Sequence, residues 1–472
     1  MSDEQQQLLA QIDASRDWID ILTALLSVCR AHAHELSTLA QGRETRKLLA
    51  AAHAQVRENL STTAVSRRTR QEISEQLGNV DYPYRARVIA VAIDLEIRGS
   101  NPQYYSVMCA ALGERKLDDR APYPTPSFPL AATFGPGGFS MQPKDGGSVL
   151  EVDRVPGLAL WNTSAHGALT VVYDPIAGSA LDDALDSSVD ILTVSPNQSY
   201  SAEFSVETST ANGFFGVKVI DHAKQDSILR ESLEYCESNS IDILALPELA
   251  ATEESDLIVR RAFEAPDRRD CRHPSIVIAG SRHARIKDKQ VNRLTIAYRP
   301  HSHLVYHDKV GRFVVGGSEC YTARGLVPNS AGDEDIDRGN SIRIHAGIEW
   351  SMIPLICADF LDQQVIHAAA ALHPRLVIVS AMSQKTSDFE DSAGTVISAC
   401  QSTVVVVNGP VDWRPDDSRE PLADAESSTV AVFGLPLNDP TKKVIRLKTA
   451  IDASAPHRVH FSSLTRSAVL LS

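Results

Sequence analysis

From about residue 212 to 450 the chain repeats one pattern. Short runs rich in β-branched and aliphatic residues alternate with amphipathic or turn-rich segments. "FFGVKVID", "IDILALPE", "SIVIAGS", "NRLTIAYR", "HLVYHDK", "IEWSMIPLI", "RLVIVSA" and "TVVVVN" read as strands, and further strands are expected near 428–434 and 443–449. "AKQDSILRESLEYCES", "LDQQVIHAAAAL" and residues 388–400 read as helices. Alternation of this kind constrains the region to a layered α/β architecture.

The N-terminal part has a different rhythm. Apolar residues at helical spacing, Leu8, Leu9, Ile12, Trp18, Ile19, Leu22, Leu25 and Leu26, open the chain, and helical patterns continue at 45–60, 65–78, 83–99 and 103–114. A stretch dense in proline and glycine follows at 118–148, and short strand-like runs, "ALTVVYD" and "VDILTVS", lie between 149 and 206. The expected organisation is a helical accessory region at 1–117, a linker with short strands at 118–211 and the α/β domain at 212–472. The helical region is expected to bury a small core of its own and to control access, assembly or partner choice.

Composition narrows the function. A chain of 472 residues with 43% hydrophobic and 22% charged residues is that of a globular protein of two or three domains. The net charge of −14 disfavours nucleic-acid binding, which needs basic surface. Residues 1–120 carry 15 Lys and Arg against 16 Asp and Glu, so the acidity belongs to the remainder, with 31 against 44. No apolar stretch approaches the roughly 20 residues of a membrane span, and the N-terminus lacks the order of a secretory signal. A cytoplasmic protein without membrane association is expected. The seven cysteines form no CxxC pair, and an odd number argues against a disulfide framework.

Three strand ends terminate in residues able to do chemistry: Glu248 in "ILALPEL", Lys309 in "LVYHDKVGRF" and Cys357 in "IPLICADF". Ligand and catalytic groups of α/β folds collect beyond the carboxyl ends of strands. A cysteine after an apolar run is by itself more often core filler, because free cysteine behaves as a small hydrophobe. The other two residues change that reading. A thiol is nucleophilic as thiolate, and with a pKa near ~8.5 it needs a base and a nearby cation. Glu248 supplies the base and Lys309 the cation.

These segments resemble the nitrilase superfamily, the carbon–nitrogen hydrolases. "LALPELAA" is similar to its glutamate motif, "VNRLTIAYRPHSHLVYHDKVGRF" with Asn292 to its lysine motif, and "GIEWSMIPLICADFLD" to its cysteine motif. "LVIVSAMSQ" and "TVVVVNGP" resemble two strands that follow the nucleophile. The family's usual Arg-Ala-x-Glu-Asn run and its late Gly-x-Ser stretch are replaced here by "ISACQSTVVVVNGP" and "SSTVAVFG". The resemblance implies a four-layer α-β-β-α sandwich over about 212–450, a Glu248–Lys309–Cys357 triad and homo-oligomers.

It also implies hydrolysis of a non-peptide carbon–nitrogen bond through a thioester, with no cofactor or metal. Glu319, ten residues past Lys309, matches a second glutamate that orients the substrate nitrogen. The backbone N–H of Ala358 and the Lys309 ammonium are the expected oxyanion donors. "CAD" at 357–359 favours a small-molecule amide or carbamoyl substrate over a nitrile, with Asp359 as a helix cap. The alternatives are an acyltransferase that resolves the thioester with an amine, or a regulatory protein that uses the fold as scaffold and binds a partner through its helical region. His301, His303 and His307 in "HSHLVYH" share a strand face but read as edge histidines rather than metal ligands. "FGPGGF" at 134–139 lacks the remainder of a phosphate loop.

Overall fold

The computed structural model describes residues 2–32, 35–36, 43–59, 64–100, 123–126, 154–155, 158–161, 169–185, 188–210, 213–265, 271–299, 302–313, 333–347, 350–372, 374–400, 402–413, 427–435, 444–450, 456–462 and 467–471. Two compact units divide them. The first holds the residues up to 161 together with 371–372, and the second holds the rest from Leu169 onward.

The first unit is mostly helical: α1 (Asp3–Ala14), α2 (Trp18–Ala31), α3 (Arg43–Asn59), α4 (Arg67–Leu77) and α5 (Tyr82–Ser100). The opening apolar stripe is broken where Asp17 caps α2, accepting from the N–H groups of Ile19 and Asp20 at 3.0 and 2.9 Å. Leu8, Ile12, Trp18, Ile21, Leu22, Ile89 and Ile93 are buried, so the helices do carry a core. Arg70 ties α4 to the chain before it, donating to the carbonyls of Ser15 and Val65. Three short strands, β1 (Tyr123–Pro126), β2 (Arg154–Val155) and β3 (Leu158–Trp161), form an antiparallel sheet. β1 falls inside the stretch expected as linker; the rest of 118–148 and the helix expected at 103–114 lie outside the described residues.

The second unit is an α-β-β-α sandwich. One seven-stranded sheet runs β11-β10-β9-β8-β5-β19-β20, the other β18-β17-β16-β15-β14-β13-β4. The first contains β5 (Asp190–Ser195), β8 (Ile243–Ala245), β9 (Ile276–Ile286), β10 (Lys289–Tyr298), β11 (His303–Asp308), β19 (His457–Ser462) and β20 (Ser467–Leu471). The second contains β4 (Thr170–Asp174), β13 (Ser341–Ala346), β14 (Ser351–Ile356), β15 (Leu376–Ala381), β16 (Thr403–Asn408), β17 (Ser427–Gly434) and β18 (Val444–Ala450).

β14, β15 and β16 are parallel and buried on both faces, which is why they read as unbroken apolar runs. The sheets meet face to face. Phe433 of β17 stacks on Phe461 of β19 at 4.9 Å, and Ser380 of β15 donates to the Leu246 carbonyl at 2.8 Å. α6 (Pro175–Ala184) follows β4 directly, capped by Asp174. α7 (His222–Ser238) and α8 (Ser255–Glu264) bury Ile228, Leu229, Leu233, Ile258, Val259 and Phe263 against Leu192, Leu244 and Val277 of the first sheet. α9 (Gln363–Leu372) and α10 (Ser387–Cys400) belong to the second sheet's connections.

Two features depart from the sequence reading. The domain does not begin at 212, because β4 and β5 are strands of the two large sheets, and β5 lies between β8 and β19. Nor do strands near 443–449 close the chain, since β19 and β20 return to the first sheet. β19 alternates buried and part-buried residues, with arginine, histidine and serine at its outer positions, so its apolar signal is weak. A smaller sheet, β12 (Asp333–Glu334), β7 (Gly213–Val219) and β6 (Phe204–Thr210), lies outside both large ones.

Candidate active site

Each candidate residue sits just beyond a strand. After β8 the chain leaves the sheet as Leu246-Pro247-Glu248, and the Glu248 N–H donates to the Ala381 carbonyl at the end of β15. This detour needs room. The Pro247 carbonyl passes so close to β9 that a Cβ on Gly280, itself at φ +79°, would lie 2.6 Å from it. Lys309 directly follows β11, and its N–H donates to Asn292 of β10 at 2.9 Å. Cys357 directly follows β14 and opens the 3₁₀ turn Cys357–Leu361.

Backbone strain marks the same places. Cys357 has φ +39° and Leu249, next to Glu248, has φ +59°. Such values are uncommon for residues with a Cβ and cost of order 1–3 kcal/mol each, so the surrounding structure must enforce them.

The side chains converge although their strands come from both sheets. Lys309 Nζ donates to Glu248 Oε1 and to Glu334 Oε2, each at 2.7 Å. Asn292 Nδ2 bridges the same two carboxylates, 2.9 Å from each. The Cys357 thiol is close enough to Glu248 and Lys309 for their charges to act on it, and its Sγ lies 4.0 Å from the Met382 carbonyl oxygen. Glu248, Lys309, Glu334 and Cys357 are all at most 5% exposed.

Glu334 was not legible as a site residue. It lies in the acidic run Asp333-Glu334-Asp335-Ile336-Asp337, which carries no local mark distinguishing it from a solvated loop. Pairing of β12 with β7 brings it in. His283 Nδ1 accepts from the Val217 N–H at 3.0 Å, so its other nitrogen, Nε2, carries the proton and donates to Glu334 Oε1 at 3.0 Å. With the Phe313 N–H at 3.1 Å, Glu334 accepts from four donors.

The two carboxylates are thereby made unlike. Burial raises the Glu248 pKa above the ordinary glutamate value; Lys309 opposes this, and Glu334 adds to it. Burial would also raise Glu334, but Lys309 and His283 overcome it and hold the group well below the ordinary range. Burial would lower Lys309, and its anionic neighbours hold it well above the usual lysine value. Burial, then Glu248, push the Cys357 thiol up. The thiol is thereby held toward its neutral form against a base of raised affinity for protons, beside a carboxylate held toward its anion and an amine held toward its cation. Environments that push two carboxylates apart separate a proton carrier from a fixed charge.

An apolar cluster adjoins this centre. Tyr200 stacks on Phe204 and on Trp413 at 5.5 and 5.1 Å, and Leu249, Met382 and Phe313 pack with them.

Of the remaining expectations, Glu319 lies outside the described residues, as do Cys109 and Cys320. Ala358 is in the first turn of the 3₁₀ segment, where backbone N–H groups have no partner within the helix. Asp359 is not the N-cap, which is Ile356; it lies at the third position of the 3₁₀ segment, where its Oδ2 reaches back to the Ile356 N–H and also binds His307. His307 is thus not an exposed edge histidine but a buried one, 2.9 Å from Asp359. His301 lies outside the described residues. Among the described residues no group of three or more potential metal ligands occurs, and no helix is long and apolar enough to cross a membrane.

Fold and site together define a cysteine–glutamate–lysine centre between the two sheets of an α/β sandwich. Solved structures are similar to this chain at low sequence identity. An amidase from Nesterenkonia sp., solved with butyramide, is 13% identical, with 58% of this chain and 89% of that one covered and a TM-score of 0.37. A CN-hydrolase superfamily protein from Xanthomonas campestris is 14% identical over 58% of this chain and 90% of that one, with a TM-score of 0.35. A glutamine-dependent NAD⁺ synthetase from Acinetobacter baumannii is 10% identical over 60% and 48%, with a TM-score of 0.36. No family model and no curated protein matches the chain.

Proposed function

We propose that the protein hydrolyses a carbon–nitrogen bond of a small amide or carbamoyl compound through a thioester at Cys357. The observation that carries this reading is the convergence of the Cys357 thiol with the hydrogen-bonded Glu248 carboxylate and Lys309 ammonium in one buried cluster. Folding alone gives no reason to collect these three types there, because a buried charge cluster is at best neutral for stability.

In the proposed reaction Cys357 Sγ attacks the carbonyl carbon while its proton passes to Glu248. The carbonyl π electrons move to oxygen. Two Lys309 protons are committed to carboxylates, which leaves the third for this oxyanion, beside the Ala358 N–H. Collapse breaks the C–N bond, and the amine leaves with the proton from Glu248. Water, deprotonated by Glu248, then attacks the thioester, and the thiolate departs and recovers the proton. Glu334 stays anionic throughout and keeps Lys309 charged.

The test is release of acid and amine from a panel of small amides and carbamoyl compounds. Cys357→Ala is expected to fold normally and lose at least about 10³-fold in turnover. Trapping with iodoacetamide should label Cys357. Turnover unchanged in Cys357→Ala would sink the reading, and an acyl-amine product on adding an amine would point to acyl transfer.

A further inference from the structure

A carboxylate that this reaction leaves unused lies two residues past the nucleophile. Asp359 is wholly buried, and four donors face it. Its Oδ1 accepts from the Val310 and Gly311 N–H groups at 2.7 and 2.6 Å. Its Oδ2 accepts from the Ile356 N–H at 3.1 Å and from His307 Nε2 at 2.9 Å.

The positions of these donors matter more than their number. Val310 and Gly311 directly follow Lys309, and His307 lies two residues before it. Ile356 directly precedes Cys357. One carboxylate therefore ties the chain on both sides of the lysine to the chain that carries the thiol, although β11 and β14 belong to different sheets. The two segments touch: a Cβ on Gly311 would lie 2.8 Å from the Ala358 carbonyl oxygen and 3.1 Å from the Asp359 nitrogen. The residue between Ile356 and Ala358 is Cys357, held at φ +39°.

We propose that Asp359 is a positioning residue of the site, which fixes the Cys357 thiol against Lys309 and Glu248 by clamping the lysine loop to the cysteine turn. This inference rests on the reading of Cys357 as nucleophile. Asp359 touches no reacting atom and acts through the backbone it holds. An amide cannot replace it. Either orientation of an asparagine turns an NH₂ donor onto backbone N–H donors, those of Val310 and Gly311 or that of Ile356. Glycine at 311 belongs to the same device, since a side chain there would push the clamped segments apart.

The experiment uses the full chain and reads the iodoacetamide alkylation rate of Cys357, resolved by peptide mass spectrometry, from acid to alkaline pH. Thermal melting is followed in parallel. In the wild type Glu248 assists the thiol, so alkylation is expected to persist at neutral pH with an acid limb set by that carboxylate. In a folded Asp359→Asn variant the neutral rate should fall by about 10²-fold, the scale expected for an ångström-sized misplacement. The acid limb should vanish, leaving only the thiol's own ionisation. His307→Gln, which keeps a donor, should retain the wild-type profile, whereas His307→Leu should lose part of the neutral rate.

A merely structural role would lower the melting temperature and leave the rate and pH profile of the folded protein unchanged. That result in Asp359→Asn overturns the proposal. If Asp359→Asn does not fold, the same result in His307→Leu overturns it. An unreactive Cys357 in the wild type would instead overturn the nucleophile itself, and the clamp with it.

Discussion

Two glutamates share one lysine at the centre of this molecule, and their opposite shifts give pH two separate effects. Glu248 is raised, so in the proposed reaction it must lose its proton before it can accept one from Cys357. The acid limb of kcat/KM is expected above the ordinary glutamate pKa, and a limb at or below that value would remove Glu248 as the base. Glu334 is lowered. Its folded-state pKa lies below its unfolded one, so its contribution to stability is present above the unfolded pKa and lost as pH falls through the folded one. Glu248 has the opposite sign, and its contribution fades as pH rises from the ordinary value through the raised one.

Glu334→Gln should therefore lower stability by about 3–5 kcal/mol at neutral pH, the cost of removing one partner from a buried ion pair. The loss should shrink in acid, where the wild type surrenders the same interaction. Urea midpoints of both proteins across pH measure this. A variant as stable as wild type at neutral pH would show that the Lys309–Glu334 pair contributes nothing net.

Between elements, the decisive contact is that of the lysine loop with the cysteine turn. Gly311→Ala would bring a methyl within 2.8 Å of the Ala358 oxygen and 2.9 Å of its carbonyl carbon. Backbone cannot yield as a side-chain tip can, so the loops must separate. A stability loss of about 1–3 kcal/mol is expected from overpacking. Turnover should fall by about 10²-fold because Lys309 and Cys357 move apart. Full turnover in the folded variant, with a lowered melting temperature, would show that the loops can slide without cost to the site. Helix and strand periodicity located both loops to within a few residues. Their contact belongs to no periodic pattern, because it joins the ends of strands in different sheets.

For the whole molecule, the sheet order decides where the second unit begins. β5 lies between β8 and β19, and β4 forms the far edge of the other sheet beside β13. A fragment starting at 212 lacks both strands and leaves β8 and β19 without the strand that joins them. It is expected to be insoluble or molten, whereas a fragment starting at Leu169 should unfold cooperatively. Far- and near-UV circular dichroism with thermal melts compares the two. Cooperative folding of the shorter fragment would show that β4 and β5 are dispensable.

Sequence alone determined the layered α/β architecture, the buried character of the nucleophile's strand and the order glutamate, lysine, cysteine at three strand ends. These are local properties. Apolar runs and helical spacing reflect the burial of each segment, and a motif is read within a dozen residues. Tertiary structure decided what surrounds the triad. Apart from the local contact of Asp359 with Ile356, Asn292, His283, Glu334 and Asp359 act through partners 21 to 66 residues away in sequence. It also decided that Glu248 should titrate high and Glu334 low. Both are buried carboxylates beside the same lysine, and the difference comes from which further donors the sheets bring to each.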